Sequence, residues 1–282
     1  MRRFFLLFAA AFGFVASPLA ADAPGPSAEA ENCEACEAVM DLALAHPRRK
    51  DDRARDTWRH PAETLAFFRV RPGMTVVDYT PSGGWYTRVL VPYLGDAGRY
   101  IGLNPAVGAD GPAYHANLAQ TFPAKAAEWT GVPAERVGAY NTDGIPAALK
   151  GTVDRVVMFR ALHGLKRSGK LDSELAAVHG LLKPDGLLGI EQHRAQAGAP
   201  DAYVDGSKGY LREKDVIALV EAQGFALVAK SEVNANAKDS ADHAGGVWML
   251  SPNLRGVEPQ DRTRYEAIGE SDRMTLLFRK KP

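Results

Sequence analysis

Cysteine is scarce in this chain: two residues in 282, too few for a disulfide-dense scaffold. Neither sign of charge is in surplus, with 34 Lys and Arg against 34 Asp and Glu. The basic excess that usually accompanies nucleic-acid binding is missing, so no nucleic-acid partner is expected. Past the N-terminal segment, no apolar run reaches the ~20 residues that a membrane helix needs. A His-Glu-x-x-His zinc pattern, a second cysteine pair and a Gly-x-Gly-x-x-Gly dinucleotide fingerprint are also missing. No metal site is expected. A Gly-x-Ser-x-Gly nucleophile elbow is not matched either. Thr80-Pro81-Ser82-Gly83-Gly84 lacks its first glycine, although Ser82 falls between a strand and a helix. What is present is ordinary globular composition, 46% hydrophobic and 24% charged, which excludes a disordered or collagen-like chain.

Residues 1–23 have the form of a signal peptide. Arg2 and Arg3 precede an uncharged apolar run from Phe4 to Val15, and small residues follow, with cleavage expected after Ala20, Ala21 or Ala23. The alternative is an uncleaved N-terminal anchor. A periplasmic or secreted protein is expected, with no stable membrane insertion once the signal is removed. Residues 24–51 read as a linker and a short N-terminal helix carrying Cys33 and Cys36. In an oxidising compartment this Cys-x-x-Cys forms a local disulfide or a redox-active pair. Haem attachment would need histidine where Glu37 stands. The charged stretch from Arg48 to Arg59 is balanced in sign and reads as a solvated connector.

From there strands and helices alternate. A helix is expected over Pro61 to Phe68, with proline in its first turn, and a strand over Met74 to Tyr79. A glycine-containing loop and a helix over Trp85 to Leu94 follow. Further strands are expected over Arg99 to Leu103, Val137 to Tyr140, Val153 to Phe159 and Leu187 to Glu191, then over Phe225 to Val233 and Met274 to Phe278. Helices are expected over Ser173 to Leu182 and Glu213 to Gln223, the latter stopped by Gly224. Near-continuous apolar strands alternating with helices imply an α/β fold, a mostly parallel sheet covered on both faces. The last two strands have no helix between them in this reading. A closing hairpin with one antiparallel strand follows. Such sheets bind ligands beyond the carboxyl ends of their strands.

Several segments carry a resemblance. They are Arg59-His60-Pro61-Ala62-Glu63-Thr64-Leu65-Ala66-Phe67-Phe68, Gly83-Gly84-Trp85-Tyr86-Thr87, Asn234-Ala235-Asn236, Gly246-Val247-Trp248 and Ile268-Gly269-Glu270-Ser271-Asp272-Arg273-Met274-Thr275-Leu276. Through them residues 52–282 resemble the Rossmann-like class I S-adenosylmethionine-dependent methyltransferases. More narrowly, they resemble a family of exported predicted methyltransferases. The resemblance implies a three-layer sandwich, a seven-stranded mostly parallel sheet with an antiparallel last strand, and S-adenosylmethionine as cofactor. The family's acidic residue and glycine loop fall on Asp78-Tyr79-Thr80-Pro81-Ser82-Gly83-Gly84. Thr80 and Ser82 stand where the pattern has glycine, and Gly83 and Gly84 follow. The ribose-binding acid at the end of the second strand is replaced by Asn104, whose amide still accepts a hydrogen bond. Asp143, after the third strand, is placed to meet the adenine amino group or to form an Asx-type turn before Gly144.

Methyl transfer is an in-line substitution that needs a base only when the acceptor loses a proton. The fourth strand ends in Phe159-Arg160-Ala161-Leu162-His163 and the fifth in Glu191-Gln192-His193-Arg194, which converge on one cleft. His163 is the first candidate base and His193 the second, with Glu191 orienting it or holding a metal. Arg160 and Arg194 bind an anion or pair with nearby acids. The long connection 234–271 is expected to form an ordered lid containing Trp248 and Met249, both read as buried. Trp58, Arg59 and His60 close the opposite side. A small-molecule acceptor is the expected partner. The competing reading is a non-catalytic Rossmann-like ligand-binding protein of the cell envelope; a nicotinamide-dependent oxidoreductase is disfavoured by the missing fingerprint.

Overall fold

The computed structural model describes residues 33–108 and 113–281. The expected signal peptide and most of the linker lie outside the described residues. The chain divides into two units at Glu34/Ala35, and the account below concerns the second, residues 35–282. Cys33 and Cys36 are both disulfide-bonded.

Helix α1 (Glu34–Ala45) leads through two short 3-10 turns to α2 (Asp56–Arg59) and α3 (Pro61–Phe67). The alternation then runs β1 (Thr75–Tyr79), α4 (Thr87–Leu94), β2 (Arg99–Asn104), α5 (Ala113–Thr130), β3 (Val137–Asn141) and β4 (Val153–Phe159). Next come α6 (Leu162–Arg167), α7 (Leu171–Leu181), β5 (Leu182–His193), α8 (Glu213–Ala222), β6 (Phe225–Ser231), α9 (Arg262–Ile268) and β7 (Arg273–Lys280). One seven-stranded sheet takes the order β3-β2-β1-β4-β5-β7-β6. The pairs β1–β2, β2–β3, β1–β4 and β4–β5 are parallel, and β7 is antiparallel to both β5 and β6. This is the Rossmann-like methyltransferase topology, with its closing hairpin.

Side chains alternate across the sheet with the period of two that a strand imposes. Val77, Tyr79, Val156, Met158, Leu188, Ile190, Leu276 and Phe278 pack under α6, α7 and α8. Val76, Val157, Phe159, Leu187 and Leu277 point the other way, against α1, α3, α4 and α5. Both faces are apolar, which is why these strands read as near-continuous hydrophobic runs.

Several features differ from the sequence reading. The charged stretch before α3 is not a solvated connector, because Arg49, Asp52 and Arg59 are buried. Each finds an opposite charge: Arg49 meets Asp56 at 2.7 Å, Asp52 meets Arg88 at 2.5 Å and Arg59 meets Glu270 at 3.2 Å. Helix α5 was hidden by an alanine-rich pattern broken by Pro123, although Phe122, Ala126 and Trp129 hold helical spacing. Two short helices, α6 after β4 and α9 between β6 and β7, stand where no helix was expected.

Residues 234–271 form a folded cover. Asp239 is its anchor, accepting from Tyr210 Oη at 2.9 Å, His243 Nε2 at 2.9 Å and the backbone N–H groups of Ala241 and Asp272. Trp248 and Met249 are half-buried rather than buried. Among the described residues no helix is long and apolar enough to cross a membrane.

Candidate functional site

The carboxyl ends of β1 and β4 lie side by side at the point where the strand succession reverses direction, and both strands leave it by sharp turns. Thr80 (φ 61°) and Ser82 (φ 50°) occupy the left-handed region usual for glycine. Each such residue costs about 1–2 kcal/mol. The turn is held by Thr80 N–H donating to Leu103 O at 2.7 Å and by Ser82 Oγ donating to Thr80 O at 3.2 Å. Gly84 (φ 74°) cannot carry a side chain, because a Cβ would lie 2.3 Å from the Trp129 ring. The corresponding position at Gly83 is open space. Arg160 (φ 55°) repeats the left-handed turn at the end of β4, its N–H donating to Glu191 O at 2.7 Å.

A cavity of about 330 Å³ opens beside these turns. Ser82, Phe159, Arg160, His163 and His193 reach it from the strand ends, Arg55 and Arg59 from the segment before α3, and Trp248, Pro252 and Asn253 from the cover. Glu270 and Ser271 close its base just ahead of β7. Thus Ser82, Arg160, His163 and His193 come together as the sequence places them. Glu191 lies beneath, fully buried.

The base of the cavity is an ion-pair network. Glu191 accepts from Arg160 Nη1 at 2.8 Å and Tyr86 Oη at 3.3 Å, and lies 3.3 Å from Arg273 Nη1. Glu270 accepts from Arg55 Nε at 2.5 Å, Arg59 Nε at 3.2 Å and Arg273 Nη1 at 3.0 Å. Arg273 Nη2 also donates to Trp58 O. Burial alone would raise both carboxyl pKa values, but the arginines overcome it. Arg59, Arg273 and Arg55 hold Glu270 down at about 2, and Arg273, Arg160 and Arg59 hold Glu191 below the usual carboxylate range. Both acids are therefore ionised partners for guanidinium groups. Glu191 makes no contact with His193 of the orienting kind, and no cluster of metal-ligating side chains exists among the described residues.

The two histidines are neutral near pH 7. Burial, with Arg167 and Arg160 adding to it, lowers His163 to about 4 against a weaker opposing hydrogen bond from Gln192. Burial, His163 and the arginines push His193 well below its ordinary value. Their hydrogen bonds differ. Gln192 Nε2 donates to Gly209 O at 2.8 Å and reaches His163 Nδ1 at 3.4 Å, which assigns the His163 ring proton to Nε2. His193 Nδ1 shares a 2.6 Å hydrogen bond with Ser271 Oγ, while its Nε2 has no hydrogen-bond partner among the described residues.

The remaining candidates lie outside this cavity. Asp78 is buried and accepts from Tyr100 Oη at 2.8 Å; burial raises it to about 7. Tyr79 Oη donates to Glu174 at 2.8 Å, away from the cavity. Asp143 is exposed and accepts from Val107 N–H at 3.3 Å, closing the loop after β2 rather than its own turn. Asn104 ends β2 with 1% exposure, and both of its amide atoms are buried without a hydrogen-bond partner. Arg194 does not reach the cavity, because Asp272, Glu232 and Glu213 engage it.

Arg55, Asn253, Glu270, Ser271 and Arg273 are cavity or network residues that the sequence did not nominate as site residues. The signal available was the two motif segments around Arg59 and Glu270. The fold joins them through Arg59–Glu270 and through Asn234, whose Nδ2 donates to Thr64 Oγ1 at 2.9 Å and Thr275 Oγ1 at 3.1 Å.

No protein-family model matches the chain, and no curated protein matches it significantly. Solved structures with a similar fold include a SAM-dependent methyltransferase from Aquifex aeolicus. It is 21% identical over 71% of this chain and 93% of that one, with a TM-score of 0.46. Another is the Burkholderia thailandensis 1,6-didemethyltoxoflavin-N1-methyltransferase with bound S-adenosylhomocysteine, 18% identical over 95% of this chain and 94% of that one, TM-score 0.47. A third is the cyclase SpnF, 16% identical over 79% and 81%, TM-score 0.49. The fold assignment itself rests on strand order and direction.

Proposed function

We infer that the chain is an S-adenosylmethionine-dependent methyltransferase that acts on a small acceptor outside the cytoplasm. The observation that carries this reading is Asn104. A side-chain amide buried at the end of β2 with both polar atoms unpartnered is costly unless a ligand satisfies it. The cofactor's ribose hydroxyls both donate and accept, which suits an amide. The neighbouring backbone fits the same ligand: Thr80 and Ser82 hold glycine-like turns, and Gly83 leaves room for close approach. Asp143 stands at the end of β3, on the side where the adenine would lie. When bound, this cofactor supplies an electrophilic methyl group on a sulfonium.

The chain's own residues supply position and proton transfer. Arg160, His163 and Trp248 surround the acceptor in the cavity. His163, protonated on Nε2, offers it a hydrogen-bond donor. His193 takes the acceptor's proton on Nε2, with Ser271 Oγ accepting from Nδ1–H and holding that tautomer. Placement outside the cytoplasm is supported by the signal-like residues 1–23 and by two cysteines that are both oxidised.

Calorimetry tests the reading. The mature protein should bind S-adenosylhomocysteine, and Asn104→Ala should weaken binding at least 10-fold. A folded protein that binds neither S-adenosylmethionine nor S-adenosylhomocysteine overturns it. Fractionation of the expressing cell tests the location; a cytoplasmic, unprocessed product overturns that part alone.

A further inference from the structure

The polar wall of the cavity is unevenly charged. Four guanidinium groups, Arg55, Arg59, Arg160 and Arg273, are in contact with two carboxylates, Glu191 and Glu270. Two positive charges are left over. Asp52 and Asp56, on the same stretch of chain as Arg55 and Arg59, are taken by Arg88 and Arg49. His163 and His193 add no charge near pH 7.

The arginines that line the cavity also keep donors in reserve. Arg59 is 4% exposed and spends only Nε, on Glu270; neither Nη has a hydrogen-bond partner among the described residues. Its guanidinium lies 4.6 Å from the Trp85 ring centroid, which helps fix its plane. Arg55 likewise spends only Nε, and Arg160 only Nη1. The uncommitted Nη groups belong to side chains that line the cavity, and fixed guanidinium forks around a cavity suit an anion with several oxygens. Burial and the neighbouring Arg160 charge lower Arg59 to about 9, the direction expected where positive charge is crowded.

The geometry points to an acceptor that carries a doubly charged anionic group, a phosphoryl group or a pair of carboxylates, held by Arg55, Arg59 and Arg160. The proposal rests on the methyl-transfer reading only in calling that ligand the acceptor. Glu191 and Glu270 keep the forks in place, and His163 Nε2–H adds a neutral donor. Phe159, Trp248 and Pro252 supply an apolar patch on an otherwise polar wall, against which part of the body bearing the anion packs. At about 330 Å³ the cavity is at the small end of ligand pockets, which limits that body to a compact molecule.

Calorimetric titration of the mature protein with inorganic phosphate and, separately, malonate tests the site at constant ionic strength, with chloride as control. Saturable binding of at least one dianion is expected. It should weaken at least 10-fold in Arg160→Met and in Arg55→Met and persist under saturating S-adenosylhomocysteine. Arg55 is partly exposed, so its variant serves if Arg160→Met disturbs the fold, which circular dichroism reports. Preference for phosphate identifies a phosphoryl group; preference for malonate identifies a dicarboxylate. No saturable binding by folded protein, or unchanged affinity in both variants, overturns the site. Competition by S-adenosylhomocysteine assigns the arginines to the cofactor's carboxylate and overturns the acceptor claim. S-adenosylhomocysteine binding alone, measured in the same series, reports on the methyl-transfer reading separately.

Discussion

The side chains of Arg59 and Glu270 meet at 3.2 Å across 211 positions of sequence. The pair ties the segment before α3 to the residue run that enters β7. Removing one partner of a buried pair leaves the other charge uncompensated, at about 3–5 kcal/mol. Glu270→Gln, which strands Arg55, Arg59 and part of Arg273, should therefore lose about 3 kcal/mol or more in urea denaturation. A loss below 1 kcal/mol would show that the network contributes little to stability.

The turn after β1 stores strain at Thr80 and Ser82. Glycine relieves a left-handed backbone but adds freedom to the unfolded chain, and the two effects partly cancel. Thr80→Gly should be neutral to about 1 kcal/mol stabilising, where glycine in an extended strand would destabilise. Thermal denaturation measures this; a clear loss would place the cost of Thr80 elsewhere than its backbone.

Asp78 gives a pH signature. Its folded pKa is about 7, above the ordinary aspartate value of 3.8, because burial disfavours its charge. Between these values the folded state binds the extra proton, so Asp78 makes stability fall as pH rises from about 4 to 7. Asp78→Asn should remove that component. Relative to wild type, the variant's melting temperature should climb across this window and level off above it. Parallel curves would show that Asp78 titrates normally.

The two histidines separate by kinetics. His193→Ala should lower kcat about 100-fold or more, the usual worth of a positioned base, while His163→Ala should act mainly on KM. Retained turnover in His193→Ala would end its assignment as base. In proton-detected titrations His163 should stay neutral until pH approaches 4.

Legibility in the sequence followed the range of the forces involved. β4 is legible because Val153 and the run Val156 to Phe159 are apolar and lie between Gly151 and Arg160. The reversal of β7 is expected from the resemblance and from the lack of a helix signal before it, and the second ground does not hold, because α9 stands there. Helix α5 was missed because alanine carries little periodic signal. The cavity's charge was harder. Arg55 and Arg59 sit in a stretch whose charges balance on paper, and only packing reveals that Asp52 and Asp56 face Arg88 and Arg49 instead of them. The ring protonation of the two histidines is likewise invisible, since both bond through Nδ1 and differ only in that the Gln192 amide nitrogen must donate while the Ser271 hydroxyl can accept.

The reversal of β7 has a practical side. Its first residue, Arg273, pairs with His193 at the ligand edge, while Lys280 pairs with Phe225 at the far edge of the sheet. Were the strand parallel, its last residues would lie at the mouth of the cavity. As built, β7 runs away from the mouth and Lys280 sits on the opposite rim, so a fluorophore or tether attached at that position leaves the mouth clear.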